Sequence, residues 1–389
     1  MKLKTMVLKG FLMHNNLILE NFDESFLRLP SLIDERKKAF SELKKIGIPN
    51  KKVENWKYTD LNNLTKAIEF KPGRINLELS NHELEGIFVK DFDYFINNKD
   101  QYLTPIRTLK NEGVVYLNIS YASEAKVIEI RESQSKPLII NISTEGVGFS
   151  LPRLKIDVFP EIEAEIHLIY FGGEGFINQL TEINLQENSK IKLFRLNKSL
   201  AVHTETFITS LDSSTNISLV NLSMPENNSR FQVYNSFQGK NSFSDFKSVS
   251  IPKENCHDDF LVHNLHMSSN CESNVGMRSI LNEGTVCSFQ ALVDVESGTA
   301  SSKAEQDCKA ILLHENASMN AKPEMKIFND DVVCKHGTTI GALDKEQIFY
   351  LQSRGLDERS AEKIILQGVI ESYISDESPL KSFLPEVYQ

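Results

Sequence analysis

Pro323-Glu324-Met325-Lys326-Ile327, then Asn329-Asp330-Asp331-Val332-Val333-Cys334-Lys335-His336-Gly337-Thr338-Thr339-Ile340-Gly341-Ala342-Leu343-Asp344, then Glu346-Gln347-Ile348-Phe349-Tyr350-Leu351-Gln352-Ser353-Arg354-Gly355: two periods meet in this stretch. Up to Leu343 apolar residues alternate with others, the mark of a strand with one buried face. Side chains along a strand alternate in direction, so Cys334 and His336 project from the same face. After Leu343 the period lengthens toward 3.6 and helices are predicted. Asp344 with Gln347 forms a capping box, Ile348 and Leu351 with Tyr350 make the apolar face, and Gly355 ends the first helix. Asp357 opens a second, with Ala361, Ile364, Ile365, Gly368 and Ser372 on one stripe. Such a pair suits a cap on the end of the strand region, a docking site, or both.

Upstream, from about Lys136, short strands follow one another for about 200 residues. Leu138–Ile142, Ala164–Tyr170, Lys190–Phe194 and Thr215–Val220 alternate apolar and polar residues between Asn, Ser, Gly or Glu. Hairpins would need an Asn-Gly or Gly-x turn at every reversal. A different cue recurs instead: Glu187-Asn188-Ser189, Glu283-Gly284-Thr285, Glu296-Ser297-Gly298-Thr299 and Glu315-Asn316-Ala317. That near-repeat points to stacked coils, but its spacing is irregular, so periodicity alone leaves a parallel β-solenoid open against a sandwich or barrel.

The chain has 389 residues, enough for two or three domains, with 40% apolar and 25% charged residues. A net charge of −10 and no basic stripe argue against a nucleic-acid partner. No run approaches the roughly 18 apolar residues of a membrane span. Cys256, Cys271, Cys287, Cys308 and Cys334 form no C-x-x-C pair, which suits free thiols in a reducing, cytoplasmic setting. Residues 1–20 are basic with broken apolar runs, so a poorly ordered leader or a start codon placed too early is expected there rather than a signal peptide. Residues 31–46 read as an amphipathic helix (Ile33, Ala39, Phe40, Leu43) stopped by Gly47 and Pro49. The sole tryptophan, Trp56, reads as a packing anchor, with ligand stacking as the alternative.

Phosphate-loop, dinucleotide, serine-elbow and zincin motifs are all missing, and nothing specific supports an enzyme. Two Cys/His groupings remain. Cys256, His257, His263, His266 and Cys271 lie on strand-like sequence that would aim them at different faces, without the compact spacing of a zinc site. Cys334 and His336 share a face and suit a soft or borderline ion such as iron. Two ligands do not close a cluster that ordinarily takes four, so others would come from a partner chain. The alternative is a buried thiol beside a hydrogen-bonded imidazole.

The run C-x-H-G-x-T-x-G-x-L-D from Cys334 to Asp344, followed by Q-x-F-Y-L-x-S-R-G from Gln347 to Gly355, resembles the C-terminal signature of the SufB/SufD family. These are scaffold proteins of the SUF iron–sulfur cluster assembly system. The helix, Gly-x-Pro and Glu54-x-Trp56-Lys57-Tyr58-Thr59 run near the N-terminus also matches, as do His263, Cys271, Gln306 and Pro323-Glu324. Gly337, where SufB-like chains tend to carry Glu, and the modest length resemble the SufD branch. Arg278-Ser279 replaces a usual Arg-Gly, and Thr338 a usual Ala.

The resemblance implies a mainly β fold: a right-handed parallel β-helix core over 136–343, an N-terminal α/β region over 1–135, and a C-terminal helical, ATPase-docking region over 344–389. It implies a non-catalytic scaffold that pairs with SufB and docks the SufC ATPase. It puts His336, with Cys334 beside it, at the SufB contact, in iron acquisition and a transient iron–sulfur cluster shared with the partner. Ile348, Tyr350, Leu351, Arg354, Ile364 and Ile365 are the expected docking contacts, in the helix-in-groove manner. A reduced flavin in the assembled complex, a SufB-like homodimeric scaffold, and a β-solenoid carbohydrate binder stay open.

Overall fold

The computed structural model describes residues 19, 21–27, 31–65, 68–81, 83–98, 109 and 112–388. All of the leader expected over 1–20 except Leu19 lies outside them. From Glu124 onward the chain alternates between two sheets, one strand to each. Sheet I receives β3 (Glu124–Ile130), sheet II β4 (Leu138–Glu145), and sheet I the short β5 (Phe149–Ser150) and β6 (Pro152–Val158). The alternation continues with β7 (Glu163–Gly172), β8 (Phe176–Leu185), β9 (Lys190–Ser199), β10 (Val202–Leu211), β11 (Asn216–Ser223), β12 (Ser229–Phe237) and β13 (Phe243–Ser250). It ends with β14 (His257–His266), β15 (Glu272–Leu281), β16 (Val286–Val295), β17 (Ser302–Leu312), β18 (Ser318–Ile327) and β19 (Val332–Gly341). Each of these strands pairs in parallel with the strand one coil away in the same sheet, giving a β-solenoid of about eight turns. Two antiparallel strands extend the sheets at the start: β1 (Arg74–Ser80) pairs β4, and β2 (Ile87–Lys90) pairs β3.

The coil length explains the irregular spacing of the sequence cue. Val202 pairs with Phe176, 26 residues back; Val286 pairs with His257, 29 back; Ser318 pairs with Val286, 32 back. Along sheet I the coils lengthen from β8 onward, toward the open end. The cue itself marks left-handed turn residues: Asn188, Gly284 and Gly298 all have φ near +60° to +90°, where Asn and Gly are the least strained residues.

Three apolar layers hold the structure. Between the sheets, Ile140, Ile166, Leu193, Leu219, Phe246, Phe260 and Phe289 stack along the solenoid axis. The N-terminal region covers the outside of sheet I through Phe40, Leu43, Trp56, Val115 and Leu117 against Leu180, Tyr234 and Leu261. Its longest helices among the described residues are α1 (Ile33–Ile46), stopped by Gly47 at φ +83°, and α2 (Gly113–Tyr121), which is buried nearly all round. Strands β8, β10 and β12 are therefore buried on both faces.

The C-terminal helices cover part of the outside of sheet II, over the later halves of its strands. α3 (Lys345–Ser353) follows β19 directly, and α4 (Glu358–Glu371) packs Leu366, Val369 and Ile370 on Leu196, Leu222, Val249, Ile280 and Ile311. Two readings of the sequence are corrected here. The buried stripe of α4 is Ala361, Leu366, Val369 and Ile370, whereas Ile364 and Gly368 face outward. The pair also does not seal the solenoid's end; α4 lies along its flank. Gly276 of β15 makes room for that flank, because a Cβ there would stand 2.0 Å from Tyr373 Oη.

Candidate functional site

β19 is the last strand of sheet II and β18 the last of sheet I, so both sheets end in an edge here. Asp331 fixes the turn into β19 by accepting from the Ser301 N–H at 2.8 Å and the Ser301 hydroxyl at 2.9 Å. On the outer face Lys335 pairs with Glu305 at 2.9 Å. The β17–β19 register then sets Cys334 opposite Ala304, His336 opposite Gln306 and Thr338 opposite Cys308. Ala304, Gln306 and Cys308 are buried between the sheets, so Cys334, His336 and Thr338 occupy inward positions. His336 continues an inward column that runs Leu193, Leu219, Phe246, Val275, Gln306.

No further coil covers this last one among the described residues. His336 is exposed, and Cys334 is half-buried, packing like Met325 and Val332 on the small cluster of Val293, Val295 and Ala304. Successive inward positions on a strand are about 6–7 Å apart, close enough for one polynuclear group to span. Burial pushes the Cys334 thiol up, with the Ala304 backbone opposing the shift, so the sulfur is held as a thiol and not pre-ionised. Below His336, Gln306 Nε2 bridges the two sheets, donating to Ala291 O at 3.1 Å and Glu324 O at 3.3 Å. On β18, Pro323 supplies no N–H to the edge, a feature that edge strands tolerate and interior strands do not.

The other Cys/His grouping is dispersed. His266 meets Ser273 at 2.9 Å and stacks on Phe237, His257 meets Ser288 at 3.0 Å, and Cys271 is in the core between the sheets. His263 lies edge-on to Tyr234. Cys287 and Cys308 are core residues too, and Cys256 is buried in a turn.

The α3–α4 hairpin forms a second surface. Asp344 Oδ1 caps α3 by accepting from the Glu346 N–H at 2.8 Å, and Asp357 caps α4 through Ser360. No residue of α3 is buried. Tyr350, Leu351 and Ile365 line a cleft of ≈ 410 Å³ with Asp344, Glu346 and Gln347. Arg354 stacks on Tyr350, Ile348 is half-buried, and Ile364 is exposed. The reading of the sequence missed Phe349, the most exposed large apolar side chain of the described residues at 70%. Its signal was an aromatic one step off the apolar stripe of Ile348 and Leu351. Phe328, Val333 and Ile340, on or beside the last two strands, are exposed as well.

The chain matches two family models: "SUF system FeS cluster assembly, SufBD core domain" over residues 140–369, and "SufBD protein N-terminal region" over 27–93. It is 26% identical to the iron–sulfur cluster assembly protein SufD of Escherichia coli (strain K12), over 84% of each chain. An iron–sulfur cluster assembly SufBD family protein of Synechocystis is 22% identical over 90% of this chain and 88% of its own. One from Mycobacterium leprae is 32% identical over 37% of this chain and spans only 16% of that longer protein.

Proposed function

This chain belongs to the SufBD family of SUF-system iron–sulfur cluster assembly proteins, and we propose that it is a SufD-type, non-catalytic scaffold subunit within it. It pairs with a SufB chain through the open end of the solenoid, where β19 offers unpaired backbone groups and Val333 and Phe328 offer apolar area. The observation that carries this reading is the position of Cys334 and His336: inward columns of the core, ending on an uncovered edge. A partner that abuts this end encloses both side chains together with its own. A transient cluster built there takes ligands from both chains, with His336 in iron acquisition or ligation, since two groups from one chain leave a cluster open.

The outward side of the α3–α4 hairpin docks the SufC ATPase through Phe349, Tyr350, Leu351, Ile364 and Ile365, with Ile348 and Arg354 alongside. A reduced flavin, where the assembled system uses one, is poorly matched by the two clefts described in this chain. The hairpin cleft is open, and the other, ≈ 260 Å³, is lined by Asp245, Lys247, Glu305 and Asp307, a poor match for an isoalloxazine.

Co-expression of this chain with the host's SufB and SufC, followed by affinity capture and mass determination, tests the reading. Capture of both partners is expected, with SufC alone lost from a Phe349→Ser/Tyr350→Ala variant. Recovery of the chain only as a homodimer would overturn the heteromeric reading in favour of a self-paired scaffold. Truncation before Asp344 is a poor control, because it strips Leu366, Val369 and Ile370 from sheet II.

A further inference from the structure

The segment from Val53 to Thr59 crosses the outer face of sheet I and touches four successive coils. The Asn55 carbonyl accepts from Arg230 Nη2 of β12 at 2.6 Å and from Gln290 Nε2 of β16 at 3.0 Å. Thr59 donates to Asp259 of β14, which also holds Arg230. Glu54 pairs with Lys322 of β18 at 2.5 Å, a contact between residues 268 apart in sequence. The segment has a firm back wall: Trp56 Nε1 donates to the buried Glu112 carboxylate at 2.8 Å, and the Arg230 guanidinium lies 4.1 Å from the indole ring centre on its other side.

β18 has a neighbour only on its β16 side, and Pro323 withholds an N–H, so it is the strand prone to fray at the open end of sheet I. The geometry points to the Val53–Thr59 segment as an external brace. We propose that it clamps β12, β14, β16 and β18 to one another, so that residues near the N-terminus set the order of the strand at the open end. On the proposed scaffold role, β18 is part of what a partner meets, and the brace presents it preformed; that consequence alone rests on that role.

Hydrogen exchange of the isolated full-length chain tests the brace without any partner. Glu54→Lys places like charges together at Lys322 while touching nothing inside the sheet. It should speed exchange of the β18 amides about two- to five-fold, the range an exposed ion pair supports, and leave β8 and β10 unchanged. Lys322 also pairs with Glu324 at 3.1 Å, so the double variant Glu54→Lys/Lys322→Gln, which relieves the like charges without adding a carboxylate beside Glu324, should return β18 toward the parent rate. Gln290→Ala should speed exchange in both Val53–Thr59 and β18. Unchanged β18 exchange in Glu54→Lys and Gln290→Ala, or no recovery in the double variant, would overturn the brace and leave the scaffold reading standing.

Discussion

His336 faces Gln306 across the β17–β19 ladder, yet Gln306 is 1% exposed and His336 is open to solvent. The two share one column of the core, so the difference arises only because the stack stops one coil later. A polar residue that binds metals stands where the column requires an apolar or neutral one if it is to be covered by more of the same chain. On the proposed pairing, a second chain covering the end would resolve that mismatch.

His336→Ala should therefore leave complex formation intact and lower the iron and sulfide retained per complex by about tenfold or more, the scale seen when a metal site loses one supporting group. Complex yield and metal content are measured on the same captured sample. Equal metal content in the variant would reduce His336 to a rim residue.

Cys334 is the one thiol of the five that is not buried. An aromatic disulfide reagent on the native chain should titrate a single fast thiol. Its rate should keep climbing past pH 9, because burial raises the pKa above the usual value of 9.0. Cys334→Ser should abolish the fast phase. Two or more fast thiols would contradict the buried placement of Cys271, Cys287 and Cys308.

Glu112 accepts from Trp56 at 2.8 Å, Tyr234 at 2.7 Å and Asn55 at 3.2 Å. Glu112→Ala orphans these donors and should cost about 1–3 kcal/mol. Trp56 is the only tryptophan, so its fluorescence during urea unfolding reports this region directly. An unchanged midpoint would mean the donors find other partners.

Two buried groups give opposite pH slopes. Burial holds His266 down to about 4, so the unfolded chain takes its proton first; stability is full above pH 6.5 and is lost toward pH 4, roughly 2 kcal/mol by pH 5. Burial raises Asp258 from 3.8 to about 6, so the folded chain takes that proton first and stability rises by roughly 1 kcal/mol as pH falls through 6 to 5. Denaturant unfolding at pH 7 and pH 5 should show a smaller acid loss in His266→Gln and a larger one in Asp258→Asn. The same loss in both variants and the parent would contradict these assignments.

Much of this was legible in the sequence where one face of a strand is wet. β4 and β7 alternate cleanly because sheet II is partly exposed outside, whereas β19, at the uncovered edge, is exposed over most of its length. β10, Val202-His203-Thr204-Glu205-Thr206-Phe207-Ile208-Thr209-Ser210-Leu211, does not alternate. It is covered on both sides, and Glu205 is buried as the partner of Arg195 at 2.6 Å. The α4 stripe was misread because Ile364 and Ile365 outweigh Leu366 and Val369 in a helical wheel, and only tertiary packing chooses between the faces. The brace at Asn55 was unreadable, since a backbone carbonyl is the acceptor.

The hairpin makes its own prediction. α3 buries no side chain, so Phe349→Ser should leave thermal stability within about 0.5 kcal/mol of the parent, as surface changes do. Only ATPase capture should suffer. A large loss of stability would mean that Phe349 packs inside this chain.

The central claim is that the open end of the solenoid is the SufB contact. A photo-cross-linking residue at Val333, 67% exposed on β19, tests it most directly in cells producing all three proteins. The account predicts an adduct between this chain and SufB, lost when SufB is omitted. An intact three-protein complex with no adduct from Val333, or an adduct joining only two copies of this chain, would contradict it.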